Sequence, residues 1–437
     1  MAFDGDGLYR AEINGHTPSQ VVAEANLVCP FSDTTSDEDS VAAALWPELP
    51  TDNRVGKYLG TYAGRINDDN LVMGSSSGGL TSWLLAKLLE QNLINGVIHV
   101  GATGVPAQLF QYKVSRTVAE LFDNRKSRYA PVTMANVLEQ IKGDGNRYAV
   151  VGVPCFITAI RHLAASDAAY AGQIAYAIGI LCGHWKAEGY AESLGWQAGY
   201  APQKLAKLDF RVKDLNHSSS DYDYLATGLD GTSQQRRSKG SFDTNWGLAA
   251  FQPNACNFCD DIFAETADAV FGDAWLPEYT ADPRGTNVVL TRNAVLDQFL
   301  RDGGASGDIT LDNLSVDKVA ESQAGNIRHR RIGLGVRLKD IEVGGGTAPR
   351  KRVAPSYDGV PARRIKLIRQ RKLLSAESFQ AFAAARAAGN WDVYRDQMRA
   401  PIAAYRRIDR PFYRRAAGFA KRGLRKGLRL IAARRKG

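Results

Sequence analysis

Five cysteines stand in 437 residues, too few for a disulfide framework, so their placement carries more than their number. Cys155 closes Val150-Val151-Gly152-Val153-Pro154-Cys155, at the exit of a predicted strand and the start of a predicted helix. A thiolate there faces backbone N–H groups and the positive end of the helix dipole, which is expected to lower its pKa and ready it for a metal. Cys182 ends another apolar run, and Cys256-Asn257-Phe258-Cys259 is a close pair that can take two corners of a cluster or ion. Together these supply four thiolates, and by spacing alone zinc, iron–sulfur and redox-dithiol chemistry all remain open. A structural zinc site is more often built from two close pairs, whereas two of these ligands are single and far apart. Cys29, in Val28-Cys29-Pro30, stands apart and reads as a core residue.

The elements that must position these sulfurs emerge from hydrophobic periodicity. After residue 71 comes a turn over residues 74–79, then Leu80, Trp83, Leu84, Leu88 and Leu89 at helical spacing, then the run Val97-Ile98-His99-Val100. The same grammar recurs: helix over 132–142, buried strand over 147–153, helix over 156–165 and buried strand over 174–182. Such alternation predicts an α/β (α+β) fold with a mainly parallel sheet layer. Residues 205–250 alternate polar and apolar and suit antiparallel strands and hairpins, part of a cysteine-containing subdomain. The glycine run at 344–346 marks a break. The expected organisation is a leader over 1–70 packing on the body, an α/β domain over 71–200, a second domain over 201–343 with the Cys-x-x-Cys pair, and a linker with a basic helical tail over 344–437.

Length allows two or three domains with real cores, and 44% apolar with 23% charged residues is an ordinary globular balance. The net charge of +9 hides an asymmetry: residues 351–437 carry 24 Lys/Arg against 5 Asp/Glu, leaving −10 on residues 1–350. Acids and glycines near the N-terminus, in place of a basic and then apolar start, argue against export, and the chain reads as cytoplasmic. From Phe412 onward, apolar residues recur at three- and four-residue spacing among Arg and Lys. That basic amphipathic pattern suits the anionic inner face of a membrane. Nucleic acid is disfavoured, because aromatic rings do not interleave with the charges.

Several motifs occur in one order: Gly74-Ser75-Ser76-Ser77-Gly78-Gly79-Leu80-Thr81, Gly152-Val153-Pro154-Cys155, Leu181-Cys182-Gly183, Cys256-Asn257-Phe258-Cys259-Asp260, Gly272-Asp273-Ala274-Trp275 and Gly285-Thr286-Asn287-Val288. In this the chain resembles the coenzyme F-420 hydrogenase/dehydrogenase beta-subunit family over roughly residues 20–325, with chlorophyll-pathway reductases (7-hydroxymethyl chlorophyll a reductase and ferredoxin-dependent divinyl chlorophyllide reductase) on the same scaffold. The resemblance implies an FAD- and 4Fe-4S-containing oxidoreductase with Cys155, Cys182, Cys256 and Cys259 as cluster ligands. It also implies that the loop Ser75, Ser76, Ser77, Gly78 and Gly79, with Thr81, Thr286 and Asn287, lies against FAD. Small residues there let backbone N–H groups approach a ligand, and the helix start favours its pyrophosphate.

Many relatives carry further cysteines in an N-terminal ferredoxin-like set, whereas this leader keeps only Cys29, so a single cluster is expected. A ferredoxin-like donor or acceptor and a small organic substrate complete the implied chain of electron transfer. Asp273, Arg211 and Lys213 are candidates for placing the flavin or a proton donor, against a turn cap for Asp273 and a solvated strand face for the two cations. His184 is a candidate to tune the cluster by hydrogen bonding or to donate a proton, against a structural histidine. The competing class is a non-catalytic, membrane-surface scaffold or zinc-binding module, in a setting such as envelope polysaccharide biosynthesis.

Overall fold

The computed structural model describes residues 2–10, 19–106 and 108–409. The basic helix expected from Phe412 onward lies outside them. Leu80–Glu90 (α1) forms as its periodicity demands, burying Leu80, Trp83, Leu84, Leu85 and Leu88. Around it runs a mixed sheet whose strands are Gly60–Ile66 (β1), Gly96–Val105 (β2), Gln108–Ser115 (β3), Tyr148–Gly152 (β4) and Ile174–Ile180 (β5). Leu205–Val212 (β6), Asp223–Gly228 (β7) and Ser233–Arg237 (β8) make a separate antiparallel sheet, before Ala269–Asp273 (β9), Asn287–Thr291 (β10) and Ile309–Asn313 (β11) return to the main one.

The eight-stranded order is β11-β1-β10-β9-β5-β4-β2-β3. Its centre, β9-β5-β4-β2, is parallel, while β3 on one side and β10, β1 and β11 on the other are antiparallel. The parallel strands read as almost continuous apolar runs because helices cover both faces. Successive residues therefore face opposite cores. Ala149, Tyr176, Ile178 and Phe271 join Leu80, Leu84, Leu296 and Leu300, whereas Ala177, Val270 and Val288 meet Ile157, Ile262 and Val319.

One segment differs from its reading in sequence, and the expected helical tail forms in its described part while also packing on the body. Residues 60–66, within the expected leader, form an interior strand, paired at Gly64 with both Asn287 and Leu311. After the coil beyond residue 343, Ala362–Ala388 and Trp391–Asp409 are helices that pack together and onto the body. Their Leu374, Ala381, Phe382, Tyr394, Met398 and Ile402 join the cluster holding Phe251 and Phe210. No helix among the described residues is long and apolar enough to cross a membrane.

Candidate functional site

Parallel strands in an open α/β sheet expose their carboxyl ends along one edge, where ligands bind. The sequence places chemistry at three adjacent ends. Cys155 is the second residue of the helix Pro154–Ser166 (α2) after β4, Cys182 comes just after β5, and Asp273 ends β9. Pro154 at the first helical position fixes the turn that presents Cys155. The Cys256/Cys259 loop is drawn over the same edge, with Cys182 N donating to Ile262 O at 3.2 Å and Trp185 N to Cys256 Sγ at 3.4 Å. Gly179 permits this approach, since a Cβ there would lie 2.4 Å from Ala264 Cβ.

The four thiols form one electrostatic unit: Cys155 is influenced by Cys259, Cys182 and Cys256 in turn. Its pKa departs from the sequence expectation. Burial, reinforced by the neighbouring sulfurs, pushes the Cys155 thiol well above its ordinary value, outweighing the opposing charge of Arg330. Burial likewise pushes Cys182 and Cys259 up to about 12. Cys259 Sγ, as a thiol, donates to Asp261 O at 3.4 Å. Cys29 sits after the helix Ser19–Val28, its carbonyl accepting from Ser32 N and Thr35 Oγ1, in a half-buried turn.

Close to the sulfurs are buried arginines, with neutral histidines beside them. Arg330, 1% exposed, brings Nη2 within 4.0 Å of Cys182 Sγ, and its Nε has no partner among the described residues. Arg337 Nη2, Arg371 Nε, both His329 ring nitrogens and His184 Nε2 are also buried without partners there. Buried charge of one sign is costly unless an anion completes it. Four thiolates carrying an iron–sulfur core are such an anion, so the donor set fits a cluster. Among the described residues, no group of three or more His, Cys, Asp or Glu side chains is arranged for a single metal ion.

His184 is buried with its ring 4.5 Å from Trp246. Burial first, then Lys186, Arg371, Arg330 and His329, holds its pKa far below the ordinary value, so the ring is neutral. Sequence reasoning missed the basic run Arg328-His329-Arg330-Arg331, because a charge run normally marks a solvated face; its only signal is the apolar sequence around it.

The Ser/Gly loop is assembled differently. Asn287 Oδ1 accepts from Leu80 N at 3.0 Å, capping α1, while Asn287 Nδ2 donates to Gly272 O at 3.1 Å. Ser75 Oγ donates to Leu71 O, Ser77 Oγ donates to Thr286 O, and Ser76 Oγ accepts from Ser127 N. A Cβ on Gly78 would sit 2.5 Å from Gly64 O and 2.8 Å from Asn287 N, so only glycine fits. Thr81 lies half-buried in the first turn of α1.

Lys213 Nζ donates to Val72 O, Ser77 O and Arg284 O at 2.5, 2.7 and 2.5 Å. Burial pushes its pKa down to about 7, with Arg211 adding to the fall. Arg211 is buried rather than on a solvated strand face, and forks onto Asp273 at 2.8 and 3.0 Å. Its guanidinium lies 4.3 Å from the Tyr222 ring and 5.8 Å from Trp275, and its Nε has no partner among the described residues. Ser76, Arg211, Lys213, Asp214, Tyr222 and Pro283 line a narrow cleft beside this pair.

Family models match two stretches: the N-terminal part of the coenzyme F-420 hydrogenase/dehydrogenase beta subunit over residues 61–139, and the C-terminal part of the same beta subunit over residues 145–317. Among solved structures, a chain of the F-420-reducing nickel–iron hydrogenase complex from Methanosarcina barkeri is similar, with a TM-score of 0.52 and 18% identity. The match covers 69% of this chain and 99% of that one. No curated protein matches.

Proposed function

Because the chain belongs to the coenzyme F-420 hydrogenase/dehydrogenase beta-subunit family, a family of oxidoreductases, we propose that it is an iron–sulfur flavoprotein. It would pass electrons between a one-electron donor such as ferredoxin, one 4Fe-4S cluster, FAD and an organic substrate. The observation that carries the reading is the meeting of four thiols from three chain segments at one buried sheet edge, around an arginine with an unpaired Nε. A bound cluster supplies single-electron transfer and a bound flavin supplies hydride transfer, so together they couple the two kinds of redox chemistry.

The remaining roles fall to this chain's own residues. Cys155, Cys182, Cys256 and Cys259 bind, and Arg330 balances their charge. Arg211 with the Ser76 hydroxyl suits the phosphates of FAD, Lys213 holds the loop beside them through three carbonyls, and Tyr222 supplies a flat wall with Trp275 on the far side of Arg211. Asp273 orients Arg211 through its two bonds. His184, a neutral ring two residues after Cys182 with an unpartnered Nε2, is the residue assigned to tune the cluster by hydrogen bonding. The solved relative is part of a multi-chain hydrogenase complex, which supports a protein as electron partner.

Anaerobic purification tests the reading: the protein is expected to be brown, with flavin bands and a broad absorbance that dithionite bleaches. Colourless protein with stoichiometric zinc would replace it with the zinc-module reading.

A further inference from the structure

Residues 328–337 lie beyond both stretches matched by the family models, yet they carry the cations nearest the sulfurs. Arg328–Ile332 is a π-helical turn that runs into the helix Gly333–Val343. Such turns re-aim side chains and recur at functional sites. Here the usual order of burial is inverted, with Arg330 1% exposed and the apolar Ile332 47% exposed.

The arginines of this segment grip the Cys-x-x-Cys loop by its backbone. Arg330 Nη1 donates to Cys256 O at 2.7 Å and reaches Cys259 O at 3.5 Å. Arg337 Nε donates to Asn257 O at 2.8 Å, and Arg331 Nε to Asp260 O at 3.3 Å. The same Arg330 fork places Nη2 4.0 Å from Cys182 Sγ, so one guanidinium ties the loop to the single cysteine after β5.

We propose that Arg330 sets the reduction potential of the cluster held by these cysteines, with Arg337 as a weaker second contributor. This inference rests on the cluster reading above. Reduction adds one electron from the one-electron donor and no proton, because a guanidinium stays protonated throughout. The added negative charge is therefore met by a positive charge already in place, which favours the reduced form in a desolvated site. Arg330 acts through charge and through the loop it positions; it does not ligate iron.

The test is a redox titration of the anaerobically purified full chain, following the cluster by visible absorbance and electron paramagnetic resonance, with iron content measured alongside. Arg330→Gln is expected to keep its iron and shift the one-electron equilibrium at least tenfold toward the oxidised form, a drop of about 59 mV. Arg330→Lys, which retains the charge, is expected to recover most of that drop. An Arg330→Gln protein with full iron and wild-type potential overturns the proposal. If Arg330 variants do not fold, Arg337→Gln decides: a smaller shift in the same direction supports the charged shell, and an unchanged potential overturns it. Wild-type protein without iron would instead sink the cluster reading itself.

Discussion

The cysteine edge and the Ser/Gly loop are both built where β-strands hand over to helices, but they are completed in opposite ways. At the loop, every serine hydroxyl from Ser75 to Ser77, the Asn287 amide and the Lys213 ammonium has a protein partner. At the cysteine edge, Arg330, Arg337, Arg371, His329 and His184 all keep buried nitrogens without a partner among the described residues. The difference teaches which region is scaffold and which awaits a charge. Polar groups in native interiors are paired, so the unpaired arginine nitrogens near four thiols point to an anionic group, whereas the loop is a finished wall beside the Arg211 cleft.

The largest expected effect tests the unfinished side. Cys155→Ser or Cys256→Ser should abolish the broad absorbance and bring iron to background, while Cys29→Ser leaves both at wild-type levels; iron analysis and dithionite bleaching read the result. Full iron in either of the first two variants breaks the comparison.

Next comes the pair at the cleft. Asp273→Ala strands the Arg211 guanidinium, 5% exposed at its side chain, and breaking a buried pair costs about 3–5 kcal/mol. Urea denaturation should show that loss, with iron content retained. A smaller cost, roughly 1–3 kcal/mol for overpacking, is expected of Gly78→Ala, whose new methyl group meets backbone on two sides. If Gly78→Ala removed iron without destabilising the protein, the loop would not be an independent scaffold.

The smallest effect lies outside both regions. His99, on β2, is bonded to Ser115 Oγ at 2.8 Å, and burial, with Lys113 and Arg128 nearby, pushes its pKa down to about 4. Below its ordinary value of 6.5 the unfolded chain takes up a proton that the native state refuses. Stability should therefore fall as pH drops from 6.5 toward 4. Denaturation midpoints across that range should flatten in His99→Gln relative to wild type; an unaltered slope would assign the acid sensitivity elsewhere.

Much of the central architecture was legible in sequence because it depends on short-range pattern. The runs that became β4 and β5, the Pro154 start of α2 and the Leu80 periodicity each announce an element within a dozen residues. The four cysteines stood out by type and position. Strand β1 did not, since its alternation is weak and its place depends on pairing with Asn287 and Leu311 more than 200 residues away. Lys213 was visible as a cation on an alternating strand; that it closes the distant Ser/Gly loop through three carbonyls was not.

What the amino-acid order determined by itself was the set of local elements and the residues able to bind metal at their ends, because helix and strand periods and N-terminal proline are properties of neighbours. Tertiary structure decided which of those ends meet, which arginines are buried among sulfurs, and that burial raises the Cys155 pKa. The physical reason is that desolvation and charge pairing depend on distance in space. Residues 155, 182, 256 and 330 become neighbours only when the sheet has closed over them.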